Sequence, residues 1–215
     1  MKETVRTTVL ISGRGSNLKA LIQHQSGYKI THVVSNNRDA EGLNYAREAG
    51  IPTSVVSRSE FPSLKEFKAA VLTTVAGTEP DIVALAGFMV VLQPEFIEAF
   101  HGRLINIHPS LLPLFPGLHT HERALEAKVS THGCTVHFVD AGVDTGPLIA
   151  QASVRVEHND TAETLGARVL AKEHTIYPWI VRAIAQGDIH LNGRTVIYSD
   201  QARAEAQRIG ATLSS

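Results

Sequence analysis

Thr8-Val9-Leu10-Ile11-Ser12-Gly13-Arg14-Gly15-Ser16-Asn17-Leu18 is the stretch from which the fold can be read outward. Its first four residues are short, apolar and β-prone. Glycines at 13 and 15 then break the run, and an amphipathic segment, Leu18 to Gln25, follows. This is a strand, a glycine loop and a helix start. Ile30 to Ser35 reads as a second strand, Leu43 to Ala49 as a helix closed by Gly50, and Thr53 to Val56 as a third strand. Leu64 to Ala76 has helical spacing, with Leu64, Phe67, Val71, Leu72 and Val75 on one side. Asp81 to Ala86 is a continuous apolar run of the kind buried on both faces of a parallel sheet. Pro94 to Phe100 is a short helix opened by proline, and Leu104 to His108 is the next strand. Alternating strands and helices predict an α/β chain, with a doubly wound, mostly parallel, Rossmann-like sheet in its first half.

The pattern changes after Pro116. His119 to Ala127 is expected to be helical, but Cys134 to Val139 and Leu148 to Val156 are strands joined by a short loop. That favours an antiparallel pair at the sheet edge. Asp160 can cap a helix with Glu163 three residues on, running to about Gln186 with Pro178 bending it. Ile189 to Ile197 holds a small strand or hairpin. Ala202 to Ile209 is a terminal helix, the tail after Asp200 being loosely packed or disordered.

The chain has 215 residues, 43% hydrophobic and 19% charged, enough for one substantial core, so a single domain is expected. A formal net charge of −1 gives no reason to expect nucleic acid or an anionic membrane as partner. The single cysteine, Cys134, rules out an intramolecular disulfide and suits a reducing compartment. Met1 to Thr8 has no apolar core of signal-peptide length, and no run approaches the roughly 20 apolar residues of a membrane span. A cytoplasmic location is therefore expected.

A glycine loop that ends in a helix start presents backbone N–H groups and the positive end of the helix dipole, which favour a phosphate. Ser16 and Asn17 add donors. Leu18 stands where a dinucleotide fingerprint has its third glycine, and the second strand ends in Asn36-Asn37-Arg38 with no acid for a ribose diol. No lysine followed by serine or threonine completes a Walker loop. A phosphate monoester on a small substrate fits this loop; a tight turn with no ligand is the plain alternative.

Chemistry is concentrated in Asn106-Ile107-His108-Pro109-Ser110-Leu111-Leu112-Pro113 and in Asp144. Side chains on a strand alternate, so Asn106 and His108 point one way and Ile105 and Ile107 the other. Pro109 cannot donate to a ladder and ends the strand, leaving both polar residues at its carboxyl end, where open α/β sheets bind ligands. The amide, the imidazole and the later carboxylate of Asp144 could converge on one reacting carbonyl. Read blandly, all three are turn residues. Eleven histidines, among them His119, His121, His132 and His137, raise a zinc alternative. A catalytic zinc site needs three well-placed ligands, and these lie on different predicted elements without helical spacing, so no metal is expected.

These motifs resemble the phosphoribosylglycinamide formyltransferase family, folate-dependent enzymes of purine synthesis. The matching stretches are Ile11 to Leu18, Leu85 to Met89, Asn106 to Pro113, Pro116 to His121, Asp144 to Pro147, and Glu173 to Pro178, spanning residues 8 to 198. The resemblance implies one formyltransferase-fold domain over 1–215, with a phosphate-binding half over 8–100 and a catalytic and folate-binding half over 101–198. It implies that Gly15, Ser16 and Asn17 hold the substrate phosphate and that Glu173 contacts ribose or glycinamide. It further implies that Met89, Val90, Val91 and Leu92, with Asn106, Val139, Asp140, Ala141 and Asp144, line the site of 10-formyltetrahydrofolate. Asn106, His108 and Asp144 correspond to the catalytic trio, and no metal is used. Partners are then phosphoribosylglycinamide and the reduced folate, in a monomer or homodimer. Val90 stands where many relatives carry arginine, Leu114 where lysine is common, and Leu64 near where an arginine often faces the folate tail. These positions bear on the tail and not on the chemistry.

Alternatives remain at this level. A similar trio could hydrolyse 10-formyltetrahydrofolate, although such deformylases usually add an amino-terminal regulatory domain. Initiator-tRNA formyltransferases share Pro-Ser-Leu-Leu-Pro but add a basic tRNA-binding domain, for which length and charge leave no room. A folate- or sugar-phosphate-binding protein without activity is the third.

Overall fold

The computed structural model describes residues 4–214, so the extreme ends of the domain expected over 1–215 lie outside the described residues. The chain forms two compact units, one up to Ile105 and one from Asn106 on.

In the first unit, β1 (Val5–Ile11) leads into α1 (Ser16–Gln23), β2 (Tyr28–Ser35), α2 (Gly42–Glu48) and β3 (Thr53–Val55). A 3-10 turn (Arg58–Glu60), α3 (Leu64–Ala76), β4 (Ile82–Leu85) and α4 (Pro94–Ala99) follow. The strands run in the order β4-β1-β2-β3 and every pair is parallel, the doubly wound pattern that the alternation predicts. β1 is its central strand, and Val9, Leu10 and Ile11 are fully buried, as a strand covered on both faces requires. Ser63 caps α3 by accepting the Glu66 N–H. β5 (Leu104–His108) crosses from the first unit into the second.

The second unit continues with α5 (Thr120–Glu126), β6 (Thr131–Phe138), β7 (Leu148–Arg155), α6 (Ala162–Gln186), β8 (Ile189–Asn192), β9 (Thr195–Tyr198), α7 (Asp200–Ile209) and β10 (Thr212–Leu213). β6 and β7 are antiparallel, as expected from their short connection. The antiparallel edge has one strand more than the sequence suggests, because β10 pairs antiparallel with β7. The tail after Asp200 is thus a packed helix and strand. Ser199 caps α7, and the Tyr198 hydroxyl donates to the Ile149 carbonyl at 2.7 Å. β8 and β9 form the expected hairpin as a separate two-stranded sheet. α6 buries Leu165, Val169, Ile176, Tyr177 and Ile180 and contains Pro178. Its cap is one residue later than expected. Thr161 accepts the Thr164 N–H and Thr164 reciprocates, while Asp160 instead receives the Arg168 guanidinium and the Thr164 hydroxyl.

Candidate active site

The glycine loop lies at the carboxyl end of β1. Gly15 precedes α1 with φ 73°, a conformation that side chains rarely adopt, and no side chain caps the helix. A Cβ on Gly15 would stand 2.4 Å from the Cα of Gly42, and the Gly42 N–H donates to the Gly13 carbonyl at 3.0 Å. Gly15 is therefore required both by its turn and by the backbone of α2. Gly42 escapes sequence reasoning; the only signal was a glycine just before the expected helix at Leu43. Ser12 knits the neighbouring loops together. Its hydroxyl donates to Asn36 Oδ1 at 2.5 Å and accepts the Met89 N–H at 2.8 Å. Ser16 and Asn17 occupy the first turn of α1, partly buried. Met89 to Leu92 form an irregular loop after β4 in which the side chains of Met89 and Val91 are about two-thirds exposed.

In the second unit Asn106, His108 and Asp144 come together. The Ser110-to-Pro113 segment after β5 is pinned by one hydroxyl. Thr135 donates to the Ser110 carbonyl at 2.6 Å and accepts the Leu112 N–H at 3.0 Å and Gln151 Nε2 at 2.9 Å. The chain then turns through Phe115 with φ 52°, a left-handed conformation that costs a non-glycine residue on the order of 1 kcal/mol or more.

That turn brings the Phe115 carbonyl to 3.0 Å from His108 Nε2. A carbonyl only accepts, so Nε2 carries the hydrogen and the tautomer of His108 is set. His108 Nδ1 then faces Asp144, 3.3 Å from Oδ2, with both side chains nearly buried. The Gly117 N–H donates to the same carboxylate oxygen at 2.8 Å. Asp144 sits at φ 55° in the loop between β6 and β7.

Asn106 is held by His137, a residue weighed at the sequence level only as a metal ligand. His137 Nδ1–H donates to the Phe138 carbonyl at 2.8 Å, so its Nε2 is the acceptor for Asn106 Nδ2 at 3.2 Å. An amide nitrogen has a second hydrogen, which is left for a ligand oxygen. Burial lowers the His137 pKa and keeps the ring neutral, against the opposing pull of the Phe138 carbonyl and of Asp144, whose Oδ1 is 3.7 Å away. Phe115, Gly117 and His137 thus shape the site, and sequence reasoning assigned none of them this role. A histidine on a strand was the sole signal for one of the three.

The Val139-to-Asp144 loop is organised from within. Asp140 accepts the Thr145 hydroxyl at 2.7 Å and the Gly142 N–H at 3.2 Å, and pairs with Arg194 at 3.2 Å. Its side chain is therefore engaged by its own loop and by Arg194. Glu173 lies in α6 and is 6% exposed. Among the described residues no group of three or more His, Cys, Asp or Glu is placed to hold a metal ion, and no helix is long and apolar enough to cross a membrane.

The family profile described as formyl transferase matches residues 5–181. The chain is 43% identical over 205 residues to the phosphoribosylglycinamide formyltransferase of Escherichia coli (strain K12), covering 94% of each. It is 44% identical over 199 residues to the trifunctional purine biosynthetic protein adenosine-3 of Homo sapiens. That alignment takes in 90% of this chain but only 20% of the human protein. Among solved structures, glycinamide ribonucleotide transformylase 1 from Symbiobacterium toebii superposes with a TM-score of 0.89 at 43% identity, over 93% of this chain and 96% of that one.

Proposed function

The chain belongs to the formyl transferase family, among the phosphoribosylglycinamide formyltransferases, and from that premise we infer that it formylates phosphoribosylglycinamide. The donor is 10-formyltetrahydrofolate and the products are phosphoribosyl-N-formylglycinamide and tetrahydrofolate, a step of de novo purine synthesis. The observation that carries the reading is the convergence of an oriented amide, a tautomer-defined imidazole and a carboxylate at Asn106, His108 and Asp144.

The substrate amine attacks the formyl carbon, and negative charge gathers on the former formyl oxygen. Asn106 Nδ2–H is the donor for it, and His108, whose Nε2–H is taken by the Phe115 carbonyl, acts in the trio through the contact of its Nδ1 with Asp144. One such donor is worth on the order of 100- to 1,000-fold in turnover, roughly 3 to 4 kcal/mol. As the new carbon–nitrogen bond forms and the bond to N10 breaks, one proton must leave the amine and one must reach N10. Asp144 carries it, directly or through water.

Gly15, Ser16 and Asn17 take the substrate phosphate at the start of α1, supported by the uncapped helix end and the glycine turn. Glu173 takes the ribose or the glycinamide. Met89, Val90, Val91 and Leu92, with Val139, Asp140 and Ala141, receive the pteridine. The chemistry needs no metal, nucleic acid or membrane. It runs in the cytoplasm, where the free, buried Cys134 stays reduced, in a monomer or homodimer.

Purified protein incubated with 10-formyltetrahydrofolate, with and without phosphoribosylglycinamide, tests this. Folate release that requires the ribonucleotide and equals formylation of the amine is the expected result. Equal release without it would make the protein a hydrolase, and no release in either case would leave a binding protein.

A further inference from the structure

We propose that Arg123 and His132 are positioning residues for His108, acting together to hold the Phe115 carbonyl against the imidazole Nε2. The inference rests on the reading of His108 as a member of the catalytic trio.

The Phe115 carbonyl decides which nitrogen of His108 carries the hydrogen, yet Phe115 lies outside any helix or strand and in the left-handed region. A bulky residue keeps such a backbone only where its surroundings impose it. Two groups do so. From α5, Arg123 Nη1 donates to the Pro116 carbonyl at 2.5 Å and to the Leu118 carbonyl at 3.3 Å, with its guanidinium 5.6 Å from the centre of the Phe115 ring. From β6, the His132 ring meets Phe115 edge-on at 5.9 Å.

His132 is itself held by a second histidine. Its Nε2 lies 3.1 Å from His121 Nδ1. His121 is backed by Gly166 of α6, where a Cβ would come within 3.1 Å of its ring. His132 is 1% exposed, so this contact forms away from water. The clamp therefore grips the 115–118 segment at Phe115, Pro116 and Leu118. That segment also supplies the Gly117 N–H to Asp144, so slackening it disturbs both partners of the His108–Asp144 contact.

The test uses the full chain labelled with 15N-histidine, with the His108 signals assigned by their loss in His108→Gln. In the wild type His108 shows the Nε2–H tautomer. In Arg123→Ala and in His132→Leu it shifts toward a mixture of tautomers, and kcat falls about tenfold with KM for both substrates within about twofold, as expected for misplacement of a reacting group. Arg123→Lys, which restores a donor, and His132→Phe, which restores a ring edge against Phe115, recover part of both signals. The proposal is overturned by an Nδ1–H tautomer in the wild type, by an unchanged His108 tautomer in both truncated variants, or by losses that the conservative variants do not rescue. A wild type that formylates nothing would instead remove the functional reading, while the tautomer measurement would still judge the clamp.

Discussion

Asn106 Nδ2 donates to His137 Nε2 at 3.2 Å, and this bond decides which way the amide of the trio faces. Asn106 sits on β5 and His137 on β6. The histidine can serve as acceptor only because the Phe138 carbonyl holds its other nitrogen in the protonated form.

His137→Leu removes that acceptor and lets the amide rotate. Turnover is expected to fall roughly 10- to 100-fold through misplacement of the donor, with KM for the ribonucleotide little changed. His137→Gln, whose carbonyl can accept the same hydrogen, should recover part of the loss. Steady-state kinetics on both variants makes the comparison, and equal kcat in His137→Leu and the wild type would show that the amide needs no such support.

Asp144→Asn keeps the size of the side chain and removes its charge and proton affinity. A loss of about 100- to 10,000-fold in kcat is expected, the usual worth of a positioned acid–base group. Calorimetric affinities for both substrates should stay close to wild type. Wild-type turnover in this variant would exclude Asp144 from the proton transfer.

Gly15→Ala places a methyl group 2.4 Å from the Cα of Gly42 at a positive φ. Strain and overpacking together are expected to destabilise the fold by about 2 to 4 kcal/mol, which lowers Tm by roughly 5 to 15 °C in a chain of this size. Binding of the ribonucleotide should weaken more than that of the folate. A Tm equal to wild type would mean that the α1 and α2 loops do not meet as closely as described.

Acid sensitivity follows from the buried histidines. Burial, aided by the neighbouring His121 and His108, pushes His132 down to about 4, and burial also lowers His121 and His137. Their folded-state pKa values lie below the unfolded value of 6.5, so between pH 6.5 and about 4 the unfolded chain binds more protons. The stability contribution is present above pH 6.5 and is lost as pH falls through that window, on the order of 2 kcal/mol for His132. Urea midpoints at about pH 7 and about pH 4.5 measure it. His132→Gln should flatten the difference, and an equal slope in variant and wild type would place the acid sensitivity elsewhere.

Much of the fold is legible because it rests on local periodicity. The helix at Leu64 to Ala76 and the strand at Leu104 to His108 have the bounds that their spacing predicts. Element ends were less legible. Thr161 rather than Asp160 caps α6, because hydroxyl-bearing Thr161 and Thr164 satisfy each other's backbone and Asp160 has Arg168 to bind. β10 was not foreseen, since two residues carry no period and gain their structure only from β7.

For the site, residue order alone places Asn106 and His108 two apart at the end of a strand stopped by Pro109. It also shows that a glycine turn opens α1. Strand alternation and the φ needs of glycine act over a few residues and can be read there. That His137 orients Asn106, that Phe115 and Gly117 hold His108 and Asp144, and that Gly42 packs against Gly15 emerge only once the chain is folded. Those partners are separated by between 7 and 31 positions in the chain. Hydrogen-bond direction and close backbone approach depend on where distant segments meet, and no local pattern records that.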